Sequence, residues 1–181
     1  EFLNRSTMTI VNQVSELKGM VDEFSQYARS PSPVFEEIDL HGLVKEVLDL
    51  YDRVKLAITL DLSREPIMVL GDKTKLRQLI HNLLQNAEQA GKGSDTPQVC
   101  ISTNLKESLV SLIFQDNGIG FPSGLIARAF EPYVTTKSKG TGLGLAIVKK
   151  IVEEHDGKIT IDNAKHSGAI IKIVFPTRLK T

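Results

Sequence analysis

The sequence predicts an α+β fold, a two-layer sandwich in which helices lie on one face of a sheet of mostly hairpin-linked strands. The first observation is a pair of alternating apolar stretches, 99–105 and 110–116, joined by three polar residues as in a hairpin. The second is a helical apolar stripe within residues 72–90. The third is another helical segment followed by alternating stretches at 158–163 and 169–175. Together they predict one globular unit.

The composition is that of a globular protein without a dominant charge. The 181 residues are 41% hydrophobic, and 22 Lys and Arg balance 22 Asp and Glu, which argues for neither a nucleic acid nor an anionic membrane as partner. No apolar run approaches the roughly 18 residues of a membrane span, and no signal peptide is recognisable. Cys100 is the one cysteine. We therefore expect no intramolecular disulfide, a reducing compartment and a role for Cys100 as a small strand residue.

A long amphipathic helix is predicted over residues 2–29. One such helix buries its stripe only against a partner, which is either its own globular domain or another helix of a dimerising bundle. The Ser30-Pro31-Ser32-Pro33 stretch stops the helix and separates it from the rest of the chain, which favours the bundle. Since the pattern is already under way at Glu1, we interpret the chain as a piece of a longer protein. The stripe has the alternating spacings of four and three of a heptad seam: Ile10, Val14, Leu17, Val21, Phe24 and Ala28, with Leu3 seven residues upstream.

The globular part is predicted to begin at Asp39, after a linker over 31–38. Asp39 is a good N-cap for a helix that starts directly after it. The further elements are predicted in this order: strands at 56–62 and 67–70 as a pair, a helix over 72–90, the hairpin 99–116, a polar loop over 117–140, a helix from Thr141 to about His155, and the closing strands.

Two asparagines on helix 72–90 are candidate metal and phosphate ligands. Asn82 and Asn86 are four residues apart, so they share one face beside the buried stripe. Mg²⁺ takes hard oxygen ligands and keeps phosphate oxygens and waters for the rest, and an amide oxygen adds no negative charge beside a triphosphate. The alternative for two such residues is a solvated helix face.

The Asp116-Asn117-Gly118-Ile119-Gly120 turn is a candidate base-binding element. A carboxylate at the end of a strand can accept a hydrogen bond from the exocyclic amine of adenine, which would select adenine over guanine. Gly118 and Gly120 allow positive φ angles and a close approach to a flat ring. The alternative is an ordinary turn, since Asp, Asn and Gly are common turn residues.

The Gly140-Thr141-Gly142-Leu143-Gly144 turn is a candidate phosphate site. It precedes a helix, whose amino-terminal N–H groups can bind an anion. Lys137 in the preceding loop can add a positive charge. The stretch lacks the G-x-x-x-x-G-K-[ST] pattern of a P-loop. The alternative is a flexible loop capped by Thr141.

In this order and rough spacing, these stretches resemble the N, G1, F and G2 boxes of sensor histidine kinases. The boxes correspond to 82–87, 116–120, 130–137 and 140–145, where the third reads Phe-Glu-Pro-Tyr-Val-Thr-Thr-Lys. The resemblance covers residues 36–177 and implies the Bergerat (GHKL) ATP-binding fold, shared with gyrase, Hsp90 and MutL. The third box and helix 2–29 resemble the nitrogen-regulation kinases of the NtrY and NtrB kind most.

The resemblance implies a role for each matching residue. Asp116 would bind adenine with Gly118 and Gly120 beside it, Asn86 would coordinate Mg²⁺, and Asn82 would assist the phosphates. The loop 121–140 would be a mobile ATP lid. Phe130 would anchor this lid, and the polyphosphate would be held by Lys137, Gly140, Thr141, Gly142, Leu143 and Gly144. ATP and Mg²⁺ are thus the implied ligands.

The resemblance also implies partners. Residues 1–30 resemble the second helix of the dimerisation and phosphoacceptor hairpin, 31–38 a linker, and 39–181 the catalytic domain. We therefore expect a homodimer, a response-regulator receiver domain as partner, and a cytoplasmic location. Any membrane anchor, as in kinases of the bacterial inner membrane, would belong to other regions of the parent protein.

One departure from the family concerns the phosphoacceptor histidine. The family carries it on the first helix of the hairpin in a His-Glu-x-x-Asn-Pro-like context, which none of the four histidines has: His41, His81, His155 and His166. We expect His81 to be structural or solvated. His155 is expected at the carboxyl end of a helix, where an imidazole interacts favourably with the helix dipole. His41 and His166 are expected in loops or at the surface. The sequence thus predicts ATP binding without autophosphorylation. A GHKL-type ATPase and a non-catalytic nucleotide-sensing module remain alternatives.

Overall fold

The structure is a computed structural model, which describes residues 31–51, 54–91, 96–136 and 140–177. Of the amino-terminal stretch it describes residues 7–8, 10–11, 13–15, 17–19, 21 and 24–25, all of which are helical. The seam residues Ile10, Val14, Leu17 and Val21 are 59–60% exposed there, and Phe24 is 47% exposed. The predicted positions of Leu3 and Ala28 lie outside the described residues.

From residue 31 onward, the described ranges contain seven strands and four α-helices. In chain order they are β1 (Glu36–Asp39), α1 (Leu40–Leu48) with a short 3-10 turn (Asp49–Tyr51), β2 (Ala57–Asp61), β3 (Met68–Gly71), α2 (Lys73–Ala90), β4 (Gln98–Lys106), β5 (Leu109–Asp116), α3 (Ser123–Ile126), α4 (Gly144–Glu154), β6 (Lys158–Asn163) and β7 (Ala169–Pro176).

A five-stranded sheet of order β2-β4-β5-β7-β6 forms one layer, and β1 and β3 form a separate antiparallel pair. Only one face of the larger sheet is buried, as the alternation in β5 shows: Val110, Leu112 and Phe114 are at most 3% exposed, and the residues between them are accessible. Helices α1, α2 and α4 contribute the facing apolar residues of a single core. The predicted two-layer α+β sandwich is therefore confirmed.

The predicted N-cap of α1 is also present, and a second aspartate, Asp72, caps α2. The Asp39 carboxylate accepts a hydrogen bond from the backbone N–H of His41 at 3.0 Å at the start of α1. At the start of α2, Asp72 accepts from the Lys75 N–H at 3.0 Å. The stripe of α2 that the spacing predicts is buried, with Leu79 and Leu83 at most 1% exposed. Helix α2 is thereby fixed against the sheet with its polar face turned away from the core.

The pairing of the early strands differs from the prediction. β2 and β3 do not pair with each other: β2 runs parallel to β4, and β3 pairs antiparallel with β1. The strand β1 was not predicted, and its first three residues lie in the predicted linker 31–38. The last helix begins at Gly144 instead of Thr141, and the loop 117–140 contains the short helix α3.

The chain before β1 is attached to the ends of α2 and α4. The Val34 N–H donates to the Asp72 carboxylate at 2.9 Å. The Lys75 ammonium donates to the Pro31 carbonyl at 2.7 Å and to Glu154 at 2.6 Å. This ion pair is largely buried, with side-chain exposures of 8% and 22%. The residues before β1 thus share polar contacts with the ends of these two helices.

The structure corrects the predicted position of His41 and adds detail to that of His155. His41 is not in a loop, because it lies in α1, where its Nε2 is 2.9 Å from the Thr103 hydroxyl and burial lowers its pKa. His155 is buried at the end of α4: its Nδ1–H donates to the Ile151 carbonyl, and its Nε2 accepts from the Asp72 N–H. A neutral imidazole makes these two bonds, so His155 is structural.

None of the described helices is both long and apolar enough to cross a membrane.

Candidate nucleotide-binding site

A cavity of about 500 Å³ lies between α2, the sheet and the segment leading into α4. Its floor is formed by the ends of β4, β5 and β7, including Val99, Phe114 and Ile171. Its wall is the polar face of α2, which carries no formal charge there: Gln78, His81, Asn82, Gln85, Asn86 and Gln89. Cavities of this size and mixed lining are typical of small-molecule sites.

Asn82 and Asn86 both line this cavity, as their spacing predicts. The Nδ2 atom of Asn82 is buried and has no hydrogen-bond partner among the described residues. A buried amide without a partner costs free energy, so such a group marks a place where a ligand can supply the missing bond. The Asn86 amide faces the start of α4, since a Cβ built on Gly144 would lie 3.9 Å from its Nδ2. Two amides on one helix face thus line one cavity.

Asp116 lies at the other end of the cavity. Its Oδ1 accepts hydrogen bonds from the Gly118 N–H at 2.8 Å and from the Ala169 N–H at 3.2 Å. Backbone donors from two different elements therefore orient a carboxylate that lines the cavity. It is the one carboxylate among the described lining residues, which include no Lys or Arg.

The two glycines after Asp116 have different roles from those predicted. Gly120 lines the cavity and has a φ of +69°, as expected. Gly118 does not have a positive φ and is not among the lining residues. It is glycine because the turn packs tightly on the end of α2, where a Cβ would lie 2.7 Å from the Ala90 carbonyl oxygen. The prediction of positive φ is therefore wrong for Gly118.

The loop between β6 and β7 supports this turn, and this role of the loop was not predicted. Gly168 has a φ of +97°, and a Cβ there would lie 1.8 Å from the Asp116 carbonyl oxygen. The Asn163 amide makes two hydrogen bonds to the Phe121 backbone, at 2.8 and 2.7 Å. Ser167 donates to the Gly118 carbonyl at 2.6 Å. The Asn at the end of β6 and the Ser-Gly pair were the available signals.

The glycine-rich turn closes the cavity on the side of α4. Gly140, Thr141, Gly142 and Gly144 line it, and α4 starts at Gly144 without a side-chain cap at Leu143. The amino-terminal N–H groups of a helix lack intrahelical acceptors and carry partial positive charge. Helix α4 thus presents an anion-binding end to the cavity.

Gly142 is the contact point between this turn and the preceding segment. Its φ is +70°, and a Cβ would lie 2.6 Å from the carbonyl carbon of Tyr133. The Tyr133 N–H donates to the Gly142 carbonyl at 3.1 Å, and Tyr133 itself has the unusual φ of +66°. The Tyr133 ring stacks on Phe24 of the amino-terminal helix with centroids 6.4 Å apart. The segment is therefore in contact with both the turn and the helix.

Two other predicted site residues lie outside the cavity lining. Leu143 is fully buried in the core and is not in the cavity lining. Phe130 is outside the lining as well, and the Lys149 ammonium lies 5.9 Å from its ring centroid. This contact ties the segment to α4. Lys137 lies outside the described residues.

His81 lines the cavity at the amino-terminal side of Asn82. Its Nδ1 lies 2.8 Å from the Tyr51 hydroxyl, and its backbone carbonyl lies 3.3 Å from the same hydroxyl. Tyr51 is 7% exposed, and burial, followed by the Glu88 charge, raises its pKa to about 12. The imidazole is therefore held by a buried phenol that remains protonated.

The donor set fits ATP with Mg²⁺. A carboxylate stands at one end, and a partnerless amide and a helix amino-terminus stand at the other. The described residues contain no group of three or more His, Cys, Asp or Glu that could hold a metal ion. A Mg²⁺ ion here would thus take few protein ligands and depend on phosphate oxygens and water, as this ion commonly does.

Known proteins similar to this chain are histidine kinases and ATPases related to them. Residues 71–179 match the family described as histidine kinase-, DNA gyrase B-, and HSP90-like ATPase. A putative sensor histidine kinase NtrY-like from Rickettsia conorii is 40% identical over 179 residues, which are 97% of this chain and 29% of that protein. The chain thus spans less than a third of this relative.

Solved histidine kinases have the same fold. The nucleotide-free catalytic domain of histidine kinase ThkA is 30% identical, with a TM-score of 0.72 over 80% of this chain and 96% of that domain. ThkA in complex with response regulator protein TrrA is 26% identical, with a TM-score of 0.78 over 98% of this chain and 52% of that one. The predicted resemblance is confirmed: the chain belongs to the histidine kinase-, DNA gyrase B- and HSP90-like ATPase family, as an ATP-binding catalytic domain of the NtrY-like sensor histidine kinases.

Proposed function

We propose that the chain binds Mg·ATP in this cavity and that the parent protein transfers the γ-phosphate to a histidine. The observation that carries the proposal is the polarity of the cavity. Asp116 is fixed by two backbone donors at one end, and the Asn82 amide and the start of α4 lie at the other. A nucleotide has the matching polarity, with an amine-bearing base at one end and phosphates at the other.

At the base end, Asp116 would accept from the exocyclic amine of adenine. The backbone N–H groups that donate to its Oδ1 hold the carboxylate in place. Guanine presents a carbonyl where adenine presents the amine, so the same carboxylate would repel it. Gly120, with its positive φ, would let the backbone approach the ring.

At the phosphate end, the α2 amides and the α4 amino-terminus would hold the polyphosphate. Asn86 would offer its amide oxygen to Mg²⁺, and Asn82 would donate to a phosphate oxygen. Magnesium would neutralise phosphate charge and polarise the transferred group. Thr141, Gly140, Gly142 and Gly144, with Lys137 from the preceding loop, would complete the enclosure. This chain would therefore contribute positioning and charge neutralisation, the main contributions in phosphoryl transfer.

The acceptor would be an imidazole of a helix preceding this chain in the parent protein, and a response-regulator aspartate would receive the phosphate next. The exposed apolar seam from Ile10 to Val21 supports a homodimer built through the amino-terminal helices. The cytoplasm is the proposed location of this dimer. The related complex of ThkA with a response regulator protein supports a receiver domain as partner. A domain division at 30 and 38 is part of the same proposal.

An ATPase with Glu88 as its base is less well supported. Glu88 follows Asn86 on α2 but is not among the residues that line the cavity. Its charge acts on Tyr51 on the α1 side of the helix. A base that activates water must reach the γ-phosphate, which this position does not favour. Steady ATP hydrolysis that is abolished in Glu88→Ala would support the ATPase hypothesis instead.

A calorimetric titration with a non-hydrolysable ATP analogue, with and without Mg²⁺, tests the proposal. We expect Mg²⁺-dependent binding that Asp116→Ala weakens by roughly a hundredfold, the loss of a hydrogen bond to a charged group. Asp61→Ala, at the exposed end of the edge strand β2, is the matched control and should bind normally. No binding to the native chain, or equal losses in both variants, would contradict the proposal and favour a non-catalytic module.

A further inference from the structure

The polar wall of α2 extends beyond the two asparagines. Gln78 and His81 continue it toward the amino-terminal end of the helix. The carboxyl end, at Ala90, lies against the turn that carries Asp116, as the close approach of Gly118 shows. At a rise of 1.5 Å per residue, His81 is about 13 Å along the helix from Ala90, and Asn86 only about 6 Å. His81 is thus farther from the base end than either asparagine, and among the lining residues of α2 only Gln78 lies beyond it.

The position of the His81 ring is fixed by its contact with Tyr51. Its Nδ1 is 2.8 Å from the hydroxyl of Tyr51, and the two rings lie 5.7 Å apart at an angle of 59°. Tyr51 ends the 3-10 turn after α1 and is itself buried. An imidazole held by a buried neighbour keeps one orientation toward the cavity, in contrast to a solvated one.

The direction of this hydrogen bond determines which nitrogen carries the proton. Burial and the Glu88 charge raise the pKa of Tyr51 to about 12, so the phenol is a donor at neutral pH. The phenol has one proton and two nearby acceptors, the His81 Nδ1 at 2.8 Å and the His81 carbonyl at 3.3 Å. We assign the proton to the nearer acceptor, Nδ1. With Nδ1 accepting, the neutral ring has its proton on Nε2. The Nε2 atom has no hydrogen-bond partner among the described residues.

We propose that His81, oriented by Tyr51, donates its Nε2–H to a terminal phosphate oxygen and so distinguishes a nucleoside triphosphate from a diphosphate. The inference rests on the proposed nucleotide site and adds a residue that reads the third phosphate. The α2 wall offers no formal positive charge, so a positioned N–H donor has a large share in recognising the additional charged oxygens. His81 is thus a specificity-determining residue.

The other role for the pair would be purely structural, with Tyr51 tying the 3-10 turn to α2. The two roles differ in what they predict for ADP. A structural tie supports the whole site, so its loss weakens ADP and ATP alike. A donor to the third phosphate leaves ADP binding unchanged, because ADP has no group at that position.

The experiment compares the affinities of Mg·ADP and of a non-hydrolysable Mg·ATP analogue for the native chain, His81→Phe, His81→Gln and Tyr51→Phe. We expect His81→Phe to lose roughly tenfold for the triphosphate and nothing for ADP, the loss of one charge-assisted hydrogen bond. His81→Gln retains a donor and should recover part of the loss. Tyr51→Phe should show a smaller loss, again for the triphosphate alone.

His41→Gln is the matched control, because His41 lies on α1 and bonds to Thr103 outside the cavity lining. Equal losses for the two nucleotides, or unchanged triphosphate binding in His81→Phe and His81→Gln, overturn the inference while leaving the nucleotide site intact. If His81→Phe unfolds, the His81→Gln and Tyr51→Phe comparison decides alone. Absence of binding for either nucleotide to the native chain would overturn the proposed function as well.

Discussion

The ammonium group of Lys75 on α2 lies 2.6 Å from the Glu154 carboxylate at the end of α4. The same ammonium donates to the Pro31 carbonyl, so one buried cation connects two helices and the segment before β1. Removing one partner of a buried pair leaves the other charge poorly solvated. This contact is therefore expected to stabilise the catalytic part and the entry of the chain together.

We expect Glu154→Ala to lower the free energy of unfolding by about 3 kcal/mol, because it leaves the Lys75 ammonium buried without its carboxylate. Urea denaturation measures this change. The control is Glu153→Ala on the same helix, whose 3.7 Å pair with Lys149 is exposed and should contribute less than ~1 kcal/mol. Equal effects of the two variants would show that burial of the pair has no influence.

Gly168→Ala should destabilise the protein by about 2–4 kcal/mol and weaken nucleotide binding. An alanine there would need a φ of +97° and would place its Cβ 1.8 Å from the Asp116 carbonyl oxygen, so the turn that holds the carboxylate must shift. Thermal unfolding and ATP-analogue titration measure the two effects. Gly124→Ala is the comparison, since a Cβ there meets nothing within 4 Å. A stable Gly168→Ala variant that binds normally would refute the assigned contact.

Asn86→Ala should remove the part of nucleotide affinity that depends on Mg²⁺. The amide would contribute the protein ligand to the ion, so we expect at least about a tenfold loss with Mg²⁺ and little change with EDTA. Asn104→Ala, at an exposed position of β4, provides the control titration. An equal loss in both conditions would mean that Asn86 supports the fold or the phosphates instead of the metal.

The chain should bind ATP without labelling itself. None of its four histidines has the sequence context of a phosphoacceptor; His155 is occupied by two backbone hydrogen bonds, and the His81 Nδ1 by the Tyr51 hydroxyl. Incubation with γ-labelled ATP should therefore leave no acid-labile, base-stable phosphate on the protein. Such a label would contradict this prediction. Supplying a phosphoacceptor helix from a longer form of the parent protein should restore labelling.

The stability should fall in acid partly through Asp72. Burial alone would raise the pKa of this carboxyl, but N–H donors from Val34, Lys75 and Thr74 and the Lys75 charge lower it below its usual 3.8. A lowered folded-state pKa contributes stability above the unfolded pKa, and this contribution is lost as the pH falls through the folded value. Between about pH 5 and about pH 3, native protein should therefore lose more unfolding free energy than Asp72→Asn. Parallel pH curves would exclude this role.

The local patterns predicted most elements but not how the early strands pair. The stripe of Leu76, Leu79 and Leu83 is long enough to define α2 by its period. β1 has four residues, of which only Ile38 is buried, so no period exists to detect it. β2 lies parallel to β4, about 40 residues farther along the chain, and alternation within a strand carries no information about such a partner.

The site shows the same division between local and long-range information. Asp116, Asn82 and the glycine-rich turn were predicted because their chemistry lies within short stretches. Gly168 and Asn163 support Asp116 and Phe121 from more than 40 residues away, and only the folded sheet brings them together. Lone glycines and asparagines in loops are too common to identify such contacts from one sequence.

The two ends of the cavity are both bounded by glycines that have no room for a side chain. Around Gly118 and Gly168, the backbone has no room even for a methyl group, since Ala90 and Asp116 occupy the neighbouring space. At the opposite end, a Cβ on Gly142 would lie 2.6 Å from the carbonyl carbon of Tyr133, whose N–H donates to the Gly142 carbonyl. A nucleotide in the proposed site would therefore meet a preorganised backbone at both ends, which lowers the conformational entropy lost on binding.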